Sequence, residues 1–268
     1  MDLALSPSAP PPVSVPAPPS RRVLGARVDA TSYDGATQLV MQWARERRSA
    51  YVCATSVHGV IEGSEDLSFR DVLNEADLNT PDGMPLVWAL RRLGIPEASR
   101  VYGPILTLRL CAAAETAGTP IGLYGGTPES LEAFQAFLTR TFPRLRVAVA
   151  ISPPFRPPTP EEDEADTAAI VASGARIVFV GIGCPKQERW CAAHRGRIPA
   201  VMVAVGAAFD FHAGRVRQAP PALQRAGLEW AFRLAVEPRR LWRRYARIVP
   251  RFVVRFGHQL ARHQLRAA

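Results

Sequence analysis

Lysine is almost absent from this 268-residue chain: Lys186 stands alone, and the rest of its 33 Lys and Arg are arginine. A coding bias toward arginine accounts for that imbalance without any functional meaning. No stretch approaches the roughly 18 apolar residues that make a membrane-spanning helix, which excludes such an anchor. The Pro-, Ser- and Ala-rich opening, Pro7 to Pro19, lacks the basic start and apolar run of a secretory leader, so 1–20 is expected to be a disordered lead-in. Cysteine is sparse: Cys53, Cys111, Cys184 and Cys191 form no CxxC pair and have no histidine at metal spacing, which predicts reduced thiols and a cytoplasmic compartment. A GxGxxG fingerprint after the first strand is missing, which argues against a nicotinamide-dependent oxidoreductase. Missing as well is a DxD motif, a common way for two carboxylates to hold a metal. No metal and no cofactor are therefore expected.

What is present is a chain with 47% hydrophobic residues, enough for one substantial core plus an appendage. The net charge of +9 is uneven: from Arg215 onward thirteen arginines meet only Glu229 and Glu237, a net +11, which leaves −2 for everything before. A basic block of this kind calls for an anionic partner: a phosphate ligand, nucleic acid or an acidic membrane surface.

Short β-branched runs alternate with helical patterns, which predicts a doubly wound α/β fold with a mostly parallel sheet and helices on both faces. Strands are expected near Val23–Val28, Ala50–Ala54, Leu78–Thr80, Ile121–Tyr124, Val147–Ile151, Arg176–Val180 and Ala200–Val205, with helices between them. Thr127-Pro128-Glu129 and Thr159-Pro160-Glu161 each read as a helix start, with a Thr cap, a Pro in the first turn and acids behind it. The division expected is a lead-in over 1–20, an α/β domain over 21–214 and a basic helical appendage over 215–268. Within that appendage Ala219–Val236 reads as one helix. After Pro238, Leu241, Tyr245, Ile248, Phe252, Phe256 and Leu260 recur at helical spacing opposite a face rich in arginine. Such a helix either packs on the core with its arginines solvated or lies on a membrane, its apolar face among the headgroups.

Ligands of open α/β sheets bind beyond the carboxyl ends of the strands, and four such turns are unusual here. Thr80-Pro81-Asp82-Gly83 places a carboxylate before a helix, where Asp82 either caps that helix or serves as a base that accepts a proton from a sugar hydroxyl. Tyr124-Gly125-Gly126-Thr127 brings paired glycines to a helix start, a place where backbone can approach a phosphate. Gly183-Cys184-Pro185-Lys186-Gln187 puts a cation and an amide in a first helical turn, a position suited to a diphosphate or the uracil side of a nucleotide. Val205-Gly206-Ala207-Ala208-Phe209-Asp210 again sets small residues and an acid past a strand. Asp210 there is a ribose or sugar ligand, or a turn former.

In order, TPDGMP, GLYGGTPES, GIGCPKQERW, VGAAFDFHAG and GLEWAFRLAVEPRRLWRRY resemble the WecG/TagA/CpsF glycosyltransferases, glycosyltransferase family 26, from about Val23 to Tyr245. The resemblance implies inverting transfer of a hexose, N-acetylmannosamine being the type case, from a UDP-sugar to a polyprenyl-diphosphate-linked acceptor in cell-surface polysaccharide synthesis. It implies Asp82 as catalytic base, with Thr55, Arg100, Gln187, Arg233, Arg240 and Arg243 as substrate-binding candidates, to which the strand-end turns themselves add Gly125, Gly126, Lys186 and Asp210. It also implies an anionic membrane surface at the inner face of the plasma membrane, no nucleic acid, and leaves homo-oligomerisation open. Two departures stand out: Ser56 where many members carry Asn, and Ile105 where Asp is common. Ile105 leaves open an altered or inactive UDP- and membrane-binding homologue. A non-catalytic nucleic-acid or membrane binder would account for the charge but leave the four turns without a purpose.

Overall fold

The structure, a computed structural model, describes residues 16–267, apart from the side chains of 221, 240, 266 and 267. Most of the expected lead-in therefore falls outside the described residues. The chain begins with an antiparallel hairpin, β1 (Ser20–Val23) and β2 (Ala26–Asp29), where a single strand over Val23–Val28 was expected. The reason is the two-residue turn: Leu24 and Gly25 both have positive φ, 52° and 92°, the combination that reverses a twisted pair of strands tightly.

The remaining strands, β3 (Ala50–Thr55), β4 (Leu78–Pro81), β5 (Ile121–Gly125), β6 (Val147–Ile151), β7 (Ile177–Gly181) and β8 (Val201–Ala204), form one six-stranded parallel sheet in the order β4-β3-β8-β7-β5-β6. Its strands alternate between two cores, as a period of two requires. Ile177, Phe179, Val201 and Val203 face one side, and Val178, Val180, Met202 and Ala204 the other. Helices α1 (Tyr33–Arg45), α5 (Gly103–Ala117) and α6 (Pro128–Thr141) cover the first side. The second is covered by α2 (Val57–Glu65), α3 (Leu67–Glu75), α4 (Met84–Arg92) and α8 (Lys186–His194), with α7 (Pro160–Ser173) adding Ile170. This is the doubly wound α/β fold expected from the sequence. Both Thr caps form: Thr127 accepts from the Ser130 amide, and Thr159 builds a reciprocal capping box with Glu162.

Past β8 come α9 (Ala208–His212), α10 (Pro221–Arg225), α11 (Glu229–Val236) and the 30-residue α12 (Pro238–Ala267), with Pro250 inside it. The single helix expected over Ala219–Val236 is thus two, broken at Gly227 in a left-handed conformation. The apolar stripe of α12 turns inward: Leu241, Ile248 and Phe252 are buried against the body. Its basic side is anchored as well, since Arg247, Arg251 and Arg255 reach Glu65 at the end of α2 at 2.6, 2.5 and 3.0 Å. Farther along, Gln259 accepts from the Leu24 amide at 2.8 Å and donates to the Arg22 carbonyl at 2.6 Å, clasping the hairpin turn. None of the helices among the described residues is long and apolar enough to cross a membrane.

Candidate active site

The carboxyl ends of β3, β4 and β8 open into a cleft of about 690 Å³ whose outer wall is supplied by α10, α11 and α12. Asp82 lies at its inner end, just past β4. Its amide continues the β3–β4 ladder by donating to the Thr55 carbonyl at 2.9 Å. The carboxylate does not cap α4, the helix next to it in sequence; the cap residue there is Gly83, which has no side chain to offer. Instead Oδ1 accepts from the Gly103 amide at 2.7 Å, at the first turn of α5, so the carboxylate faces the positive end of a 15-residue helix. Enclosure outweighs these attractions and pushes the carboxyl up to about 6, opposed by the Arg100 charge and the Gly103 amide. Glu229 adds to the rise and Arg233 works against it.

Arg100 is held at several points in the cleft. Its Nε donates to the Asp82 backbone carbonyl, one terminal nitrogen meets Glu229 at 2.6 Å, and the guanidinium sits 4.1 Å from the centre of the Tyr102 ring. From the other side Arg233 enters on α11, its guanidinium 5.3 Å from the Phe211 ring centre. Gln187, buried at the first turn of α8, accepts from the amides of Gly183 and Gly206 at 3.2 and 3.1 Å and donates to Glu188 at 3.0 Å. It thereby ties the turns after β7 and β8 together. Thr55 and Glu188 are both 2% exposed at the edge of the cleft, and among the described residues each keeps one oxygen without a hydrogen-bond partner. Such orphaned groups mark unspent capacity for a ligand's donors.

The fold therefore brings Asp82, Thr55, Arg100, Gln187 and Arg233 around one cavity. Gly125, Gly126 and Asp210 gather instead beyond β5 and β7, where the chain's outward step to β6 and its return to β8 diverge, outside that cavity's lining. There Asp210 accepts from Ser130 Oγ at 2.6 Å. Gly125 has φ of 132°, and a side-chain carbon on it would lie 2.5 Å from the Gly181 carbonyl oxygen. Lys186 and Arg243 are exposed and do not line the cleft, and the side chain of Arg240 lies outside those described. Ile105 stands on the surface of α5, 37% exposed, also away from the lining. Sequence reasoning missed Tyr102, Gln224, Glu229 and the aromatic wall of Trp88, Trp230 and Phe252. Glu229 carried a signal as one of two acids in the basic block, and Phe252 as part of the apolar stripe after Pro238.

The family model for the WecG/TagA/CpsF glycosyltransferases matches residues 21–266, nearly the whole chain. The chain belongs to the WecG/TagA/CpsF glycosyltransferase family. Sugar transfer is thus its chemistry, and the cleft lies at the carboxyl edge of the sheet, the side on which open α/β sheets bind their ligands. Among the described residues no group of three or more His, Cys, Asp or Glu converges as a metal site.

Proposed function

We propose that this glycosyltransferase moves a hexose-type sugar from a UDP-sugar onto a polyprenyl-diphosphate-linked acceptor in cell-surface polysaccharide synthesis, with inversion and with Asp82 as base. The observation that carries the reading is the position of Asp82, a carboxylate at the inner end of a cleft with two arginines beside it. The acceptor hydroxyl attacks the anomeric carbon while its proton passes to the Asp82 carboxylate. The bond from that carbon to UDP breaks, and its electron pair leaves with the diphosphate. Arg100 and Arg233 supply positive charge where the departing phosphates gather theirs, the task a metal performs in other enzymes.

The donor's nucleotide is read by the glycine turns held by Gln187 and by those around Gly125, Gly126 and Asp210. The lipid of the acceptor suits the apolar wall, where Trp88, Trp230, Phe252 and Val253 run from the inner cleft to the surface. Since the inner stripe of α12 is packed away, contact with an anionic membrane at the cytoplasmic face falls to its outer side, where Trp242, Val253 and Val254 are exposed near arginines. The test is UDP release from a panel of UDP-hexoses with a polyprenyl-diphosphate-glycan acceptor, with and without EDTA, for the native protein and Asp82→Asn. Acceptor-dependent release that survives EDTA and collapses in the variant is expected. A native protein that binds UDP and vesicles yet releases nothing with any donor would instead identify an inactive homologue.

A further inference from the structure

Glu229 has no place in the chemistry described so far, yet it lines the cleft beside Arg100. It comes from α11, the segment that closes the outer wall, and reaches across to a residue 129 positions earlier in the chain. Its carboxylate receives Arg100 at 2.6 Å, with the two side chains 17% and 14% exposed. The Tyr102 phenol engages the same carboxylate. Gln224 on α10 approaches the other terminal nitrogen of Arg100 at 3.5 Å. With Nε spent on the Asp82 carbonyl and the guanidinium plane held over the Tyr102 ring, Arg100 is fixed at every end.

We propose that Glu229 is a positioning residue, which holds Arg100 against Asp82 and offsets its positive charge so that Asp82 keeps the proton affinity a base needs. An unpaired guanidinium beside Asp82 would stabilise the carboxylate and make it a poorer proton acceptor. Paired with Glu229, the same guanidinium still lines the cleft and remains the stronger influence on Asp82, but part of its field there is offset. The charged and titratable groups that bear on Asp82 are Arg100, Glu229 and Arg233, with the phenols of Tyr33 and Tyr102. Of the charged ones only Glu229 raises its proton affinity. Because Glu229 arrives on α11, a cleft with its outer wall displaced has a weaker base than a closed one.

The proposal rests on Asp82 being the base, so its test reads Asp82 directly. Carbon-13 carboxyl signals of aspartate-labelled protein are titrated, with Asp82 assigned by the signal lost in Asp82→Asn. In Glu229→Gln, which keeps shape and loses charge, the Asp82 midpoint is expected to fall by roughly half to one pH unit. In Glu229→Asp it stays near the native value. Glu229→Met, neutral by a different route, gives the same fall as Glu229→Gln and decides the matter should the first variant not fold. The acid limb of the kcat/KM profile moves by the same amount. A midpoint that is unchanged or raised in the neutral variants overturns the role of Glu229. A midpoint that falls while no transfer is detected in the native protein supports it and counts against the proposed reaction instead.

Discussion

Arg100 holds Asp82 through its backbone carbonyl, while the Asp82 carboxylate is held by the Gly103 amide at 2.7 Å. The separation of these two attachments leaves the carboxylate outside a tight ion pair, and its proton affinity follows enclosure rather than neutralisation. A base that titrates at about 6 must be ionised to act, so transfer is expected to fall off tenfold per unit below about pH 6 and to level above it. A kcat/KM profile between pH 5 and 8 measures this. A flat profile down to pH 5 would remove Asp82 from the role of base.

The same raised affinity has a thermodynamic sign. The folded chain binds the Asp82 proton more tightly than the unfolded chain, so the stability linked to it is full below the ordinary value of 3.8 and declines as pH rises toward about 6. Above that the ionised carboxylate costs the fold about 1–3 kcal/mol. Asp82→Asn, which can still accept from Gly103, is therefore expected to melt higher than the native protein at pH 8. Its advantage should vanish near pH 4. Melting curves at the two values suffice, and an equal difference at both would contradict the linkage.

Glu65 is held below its ordinary carboxylate value, first by its hydrogen bond to Arg247 and then by Arg251, against some opposing desolvation. Its contribution to seating α12 is therefore present at neutral pH and lost as the medium acidifies through its lowered value. Glu65→Gln should loosen α12 without altering the sheet. Limited trypsin digestion would show faster cleavage after Arg247, Arg251 and Arg255, while high salt should reproduce part of the effect in the native protein. Unchanged digestion would mean that burial of Leu241, Ile248 and Phe252 alone holds the helix.

Gly125→Ala places a methyl group 2.5 Å from the Gly181 carbonyl oxygen, on backbone with φ of 132°. Neither β5 nor β7 can yield without disturbing the centre of the sheet. A loss of about 2 kcal/mol or more in urea unfolding is expected. A loss below about 0.5 kcal/mol would show that the two turns are free to part.

Much of the fold was legible in the sequence, because buried parallel strands and capped helices leave local marks. Thr159 read as a helix cap from the sequence, and in the structure it caps α7, with Glu162 completing the reciprocal pair. Leu24 could not be foreseen, since a leucine gives no hint of a positive φ and the turn around Gly25 turns one strand into two. Whether Asp82 caps α4 could not be read from spacing, because the amide it does engage, that of Gly103, is 21 residues away. Periodicity drew the apolar stripe of α12 but carries no information on what covers it. Glu229 was visible only as a charge, since its meaning depends on Arg100, which no local pattern connects to it.

The clasp of Gln259 on the turn at Leu24 spans 235 residues of chain. Regions that far apart in sequence ordinarily fray independently, each at its own rate. Here the β1–β2 turn and the far part of α12 share their hydrogen bonds, so neither can open without exposing the other. In hydrogen exchange they are expected to open together, the amide of Leu24 taking its lifetime from a helix at the opposite end of the described chain.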